Sequence, residues 1–125
     1  MKKTINFILT TVLLLSISLS LLSCGSSKIK DNYSKVENHI KSTLIDPTSL
    51  IVNSAEGVYE EGDKYIYYKI NYNAKNKFGG YVGSDDLYCC LNTETDSISS
   101  ALANSFEVRK ANSYHSDDYH YEKIK

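Results

Sequence analysis

The chain predicts an α+β domain: an N-terminal amphipathic helix packed on a three-stranded antiparallel sheet, with a short C-terminal helix as a further element. Three observations carry this reading. Tyr33, Val36, Ile40 and Leu44 recur at spacings of three and four, the period of a helix with one apolar stripe. Residues 64–73 alternate, with Ile66, Tyr68, Ile70 and Tyr72 on one face and Tyr67, Lys69, Asn71 and Asn73 on the other. That is the period of a half-buried strand. Composition agrees, since 11 Tyr, no Trp and a single Pro favour strands that carry aromatic side chains.

In chain order, the helix is expected over residues 31–45. Ser34 followed by Glu37 resembles a capping box, with Asp31 or Asn32 as the other candidate caps. Asp46-Pro47 ends the element, because a proline ring disfavours the α conformation in the residue before it. His39 lies off the apolar stripe and reads as a solvent-facing side chain. Leu50 to Glu60 is strand-like but unevenly patterned, and Glu61-Gly62-Asp63 is a turn that closes a hairpin onto residues 64–73. After a break at Ala74-Lys75-Asn76-Lys77 comes the glycine-rich stretch Phe78-Gly79-Gly80-Tyr81-Val82-Gly83. Leu87, Cys89 and Leu91 then alternate, giving a third strand over residues 86–92. Ser97 to Phe106 can form a short helix carrying Ile98, Ala101, Leu102 and Phe106, and residues 107–125 lack usable periodicity and are expected to be a loosely ordered tail.

Ahead of this domain, Met1-Lys2-Lys3 precedes a run of 16 residues, Phe7 to Leu22, diluted by Thr10, Thr11, Ser16, Ser18 and Ser20. A spanning helix needs about 20 predominantly apolar residues. The run therefore reads as an export signal, with an uncleaved anchor as the alternative. Its close, Leu21-Leu22-Ser23-Cys24, resembles the lipobox of bacterial lipoproteins, although Leu22 is bulkier than the residue usual at its position.

The resemblance implies that residues 1–23 are a lipoprotein signal peptide and that the Cys24 thiol receives a diacylglycerol and begins the mature chain. It places the protein at the extracytoplasmic face of the cell membrane. Acyl burial contributes ~0.8 kcal/mol per methylene, so two chains hold where one is marginal. Residues 24–30 then read as the lipidated cysteine and a flexible tether, the six residues after Cys24 giving about 13 Å of reach. Residues 31–106 form the domain. The Asp46-Pro47-Thr48-Ser49 turn, the strands and Phe78-Gly79-Gly80-Tyr81 resemble small domains of uncharacterised bacterial lipoproteins over residues 33–92, a likeness that supplies no activity.

Several function classes drop out. Removing residues 1–23 from 125 leaves 102, enough for one small domain. The chain has 14 Lys+Arg against 15 Asp+Glu; without Lys2 and Lys3 the balance is 12 against 15, near −3. That charge gives no basis for a nucleic-acid partner. Cys89 and Cys90 are adjacent, so their Cα atoms lie about 3.8 Å apart, short of the ~4.4–6.8 Å of a disulfide. They read as one buried and one outward thiol, with intermolecular, metal or redox pairing as alternatives. The glycine-rich stretch matches neither a Walker loop nor a dinucleotide fingerprint, and reads as a turn. No G-x-S-x-G elbow frames a serine.

The leading expectation is a non-enzymatic binding module with a protein partner and no cofactor, recognising it through the solvent-side Tyr65, Tyr67 and Tyr81. The alternative is a divalent-metal-binding lipoprotein using His115, Asp117, Asp118, His120 and Glu122 of the tail, where imidazole and carboxylate suit Zn²⁺ but the His-x4-His spacing is not a zinc motif. An enzyme is a third reading. The pairs Glu60-Glu61, Asp85-Asp86 and Asp117-Asp118 are turn or surface charges before they are acid/base pairs.

Overall fold

A computed structural model describes residues 27–125. The expected signal peptide and Cys24 lie outside the described residues. Helix α1 (Lys28–Thr43) starts earlier than the 31–45 span, because the Ser27 hydroxyl caps it by accepting the Ile29 N–H at 3.3 Å. Ser34 and Glu37 therefore sit inside the helix, and the tether expected over 24–30 is shortened: Ile29 is 1% exposed and belongs to the core. Ile29, Val36 and Ile40 are buried, and Tyr33 and Leu44 extend the same stripe. The helix ends as Leu44 turns extended, and a 3₁₀ turn at Pro47–Ser49 leads into the sheet.

The sheet has five strands rather than three. β1 (Ile51–Glu60), β2 (Tyr65–Asn73), β3 (Asp85–Asn92), β4 (Ile98–Ser100) and β5 (Tyr119–Lys123) lie in the order β4-β3-β2-β1-β5, every pairing antiparallel. β2 is central and carries the strictest alternation, buried on the α1 side and half-buried on the other. β1 contains a bulge at Asn53, where Val52 pairs with Tyr72 but Ser54 with Asn71. The extra residue shifts the phase of β1, so that Val52 and Ala55 both face the core. That shift explains the uneven pattern.

Both faces of the sheet are covered. On one, α1 packs over Ala55, Ile66, Tyr68, Ile70, Cys89 and Leu91. Gly57 belongs to this face, and a Cβ there would overlap Ile29 Cγ2 and meet the Tyr68 ring at 3.2 Å. The other face is covered by α2 (Ala103–Asn112), whose Phe106 is fully buried and meets the Tyr88 ring edge-on at 6.1 Å. Val58, on this second face opposite Tyr67, is also fully buried.

The C-terminal expectations need correction. Ser97–Phe106 is not one helix: it divides into β4 and the start of α2, which runs on to Asn112. Residues 107–125 are not a loose tail either. β5 pairs Glu56↔Lys123 through Glu60↔Tyr119 along β1, and the Ile124 N–H donates to the Ala55 carbonyl at 2.8 Å. Without β5, five residues of β1 would present unpaired backbone groups at an open edge.

Candidate functional site

The two ends of the sheet differ. At one end α1 begins: Lys28 Nζ donates to the Asp63 carbonyl at 3.1 Å and lies 4.5 Å from the Tyr59 ring centroid. His120 stacks on Tyr59 at 4.8 Å, with its Nε2 2.9 Å from Glu61 Oε2. At the other end α1 stops and the β2–β3 loop begins, about 24 Å away along a 16-residue helix.

That far loop is built stiffly. Ser49 is the one polar residue among the described residues that is buried; its hydroxyl donates to the Asp46 carbonyl at 2.7 Å and accepts the Lys75 N–H at 2.9 Å. It thereby pins the loop to the α1–β1 connection. Asp46 caps the 3₁₀ turn by accepting the Thr48 N–H at 3.1 Å, and it also accepts from the Thr48 hydroxyl at 2.6 Å, a bond that holds its carboxyl below the ordinary range. Asn76 closes the loop itself: its Oδ1 accepts the N–H groups of Phe78 and Gly80 at 2.9 and 3.2 Å, and its carbonyl accepts that of Gly79 at 3.0 Å. Gly79 and Gly83 take φ of +80° and +97°, a region that side chains disfavour. The glycine-rich stretch is a turn.

This rigid turn leaves apolar side chains in water. Phe78 is 83% exposed, Val82 73% and Tyr81 47%, with Ile45 beside them at 71%. The Lys77 and Lys75 ammonium groups lie 5.1 Å and 5.6 Å from the Phe78 and Tyr81 ring centroids. Under the turn opens a pocket of about 280 Å³ lined by the end of α1, the end of β2 and the start of β3. Single exposed apolar residues are ordinary, but three on one hydrogen-bonded turn make this end of the sheet the candidate contact surface.

The residues expected to act together are placed apart. Tyr81 lies in the far turn. Tyr65 and Tyr67 lie at the start of β2 and are half-buried rather than solvent-facing, because α2 lays the Arg109 guanidinium over the Tyr67 ring at 3.9 Å. The sequence pattern offers a short C-terminal helix but sets no helix on this face of the sheet. His115 sits in the turn after α2 and His120 on β5. Among the described residues no group of three or more His, Cys, Asp or Glu side chains is placed to hold a metal. His39 is exposed on α1. Cys89 is buried and burial pushes its thiol up to about 12, while Cys90 faces the opposite side, 3.1 Å from Ser99 Oγ.

Sequence reasoning missed Phe78, Val82 and Ile45 as surface residues. The available signal was Phe78-Gly79-Gly80 itself, an aromatic beside two residues too small to bury it. Compared with known proteins, the chain matches no family model, and no curated protein or solved structure is significantly similar to it. Among the described residues no helix is long and apolar enough to cross a membrane.

Proposed function

We propose that the chain is a bacterial lipoprotein held at the extracytoplasmic face of the membrane by lipid on Cys24. Its domain is a non-enzymatic binding module that meets a partner through Phe78, Tyr81, Val82 and Ile45. The observation that carries this is polarity along α1. The cap Ser27 is three positions after Cys24, and three extended steps span at most about 11 Å. The start of α1 thus rests near the lipid headgroups, and the exposed apolar turn is carried at the helix's other end. Rigid presentation suits recognition, since little ordering entropy is lost on binding. The adjacent pocket adds a lysine and a carboxylate beside apolar walls at the same end.

Two measurements test the reading. Mass spectrometry of the protein from its host membrane should find a diacylated Cys24 at the N-terminus, and Cys24→Ser should release the domain from the membrane; an intact leader defeats the anchor. A photo-crosslinking amino acid at Phe78 should give a discrete adduct in intact cells, absent when it is placed at His39. Equal labelling from both positions would remove the far end as the binding surface.

A further inference from the structure

The pocket beneath the turn carries its own chemistry. Leu44, Ile45 and Tyr72 give it apolar walls, and Asn73, Lys75 and Asp85 supply polar groups. Lys75 and Asp85 line the same space yet form no ion pair with one another or with any other described residue. The Asp85 carboxylate instead accepts only its neighbour's backbone N–H, that of Asp86 at 2.9 Å. A pocket with apolar walls and both a positive and a negative side chain on its lining suits a small guest that brings both charges. Size limits that guest. Drug-sized ligands occupy roughly 300–1,000 Å³, so a space of about 280 Å³ admits one residue-sized molecule.

Building on the reading of this end as the binding surface, we infer that the pocket binds a free apolar α-amino acid in its zwitterionic form. The carboxylate meets the Lys75 ammonium, the ammonium meets the Asp85 carboxylate, and the side chain lies against Leu44, Ile45 and Tyr72. Neither charged side chain forms a salt bridge among the described residues: the Lys75 contact with Ser49 runs through its backbone N–H, its ammonium lies over the Tyr81 ring, and Asp85 is exposed.

The test is calorimetric titration of the full chain in mild detergent with L-leucine, and with N-acetyl-leucine, leucinamide and dileucine. Leucine should bind, and the two derivatives lacking one charge should bind at least about tenfold more weakly, as expected for a lost charge-assisted bond. Lys75→Ala and Asp85→Ala should each weaken leucine by a similar factor with unchanged circular dichroism, while Lys123→Ala binds as the parent does. No heat from leucine at about 10 mM, a very weak regime, overturns the site. So does leucine binding that both pocket variants leave intact. Dileucine binding more tightly than leucine overturns the free amino acid as ligand. A silent titration alongside an intact Phe78 adduct removes this site and leaves the partner-binding surface standing.

Discussion

The Tyr68 hydroxyl donates to the Ile29 carbonyl oxygen at 2.8 Å, joining the middle of the central strand to the first turn of α1. Both residues are buried, so this bond fixes where the helix begins on the sheet. Burial drives the Tyr68 phenol well above its ordinary value, and it remains a donor throughout the working pH range. Tyr68→Phe keeps the ring and removes the donor. The expected loss is about 1 kcal/mol, or about 4–8 °C in Tm for a domain near this size. Urea and thermal unfolding measure it. A variant as stable as its parent would show that the bond contributes nothing net.

Close approach of α1 to β1 depends on Gly57, where a Cβ would overlap Ile29 Cγ2. Gly57→Ala should cost about 1–3 kcal/mol, the usual range for overpacking a filled core. Ile29→Ala removes the obstructing methyl at a cavity cost of its own. The double variant should therefore be more stable than the two single losses summed, by about 0.5 kcal/mol or more. Strict additivity in denaturant unfolding would remove the overlap as the reason for glycine here.

Much of this fold is legible in the residues. Tyr33, Val36, Ile40 and Leu44 mark the buried face of α1, and strict alternation marks β2, because both elements repeat long enough for their period to emerge. The helix start was hidden because Ser27 and Ile29 sit in a stretch whose glycine and serines look like linker. β1 was blurred by a single bulged residue, Asn53. β4 has three residues and β5 five, too short and too polar for a period, and β5 is determined by the edge of β1 rather than by its own pattern. The far-end site was half visible: the glycines announce a turn, but only the Ser49 and Asn76 hydrogen bonds show that the turn is stiff. Nothing local brings Asn73 and Asp85 into one pocket.

The cysteines give a chemical check on strand phase. Cys89 is 2% exposed with its thiol raised to about 12 by burial, whereas Cys90 is only half-buried on the opposite face. The thiolate is the reactive form. Iodoacetamide on the native protein near pH 8 should alkylate Cys90 and spare Cys89, and unfolding should expose both. Peptide mass spectrometry reads the outcome. Modification of Cys89 first would reverse the assigned faces of β3.

Residues 107–125 were the stretch most easily taken for dispensable. Because β5 closes the edge of β1 and α2 seals the second face through Phe106, removing residues 113–125 should leave an unstable or aggregating product rather than a trimmed domain. Phe106→Ala should cost about 3–5 kcal/mol, as for other fully buried phenylalanines. A truncated protein with parental Tm would show that β5 carries no stability.

At the N-terminal end of α1, the Lys30 ammonium pairs with the Glu122 carboxylate and so links α1 to β5. This pairing is the main reason the Glu122 carboxyl titrates below its ordinary value; the Ser27 hydroxyl adds to it and burial opposes it. In the unfolded chain a glutamate titrates near 4.3. The folded value is lower, so the unfolded state takes up its proton first as the pH falls. The contribution is complete above about pH 4.3 and disappears as the pH drops through the folded value. Lys30 is 51% exposed at its side chain, which limits the pair to at most about 1 kcal/mol. Glu122→Gln should therefore be slightly less stable than the parent at neutral pH, and the gap should narrow below about pH 4 and with added salt. Urea unfolding across that range decides the matter, and a gap that stays constant down to about pH 3 would assign the loss to something other than the ion pair.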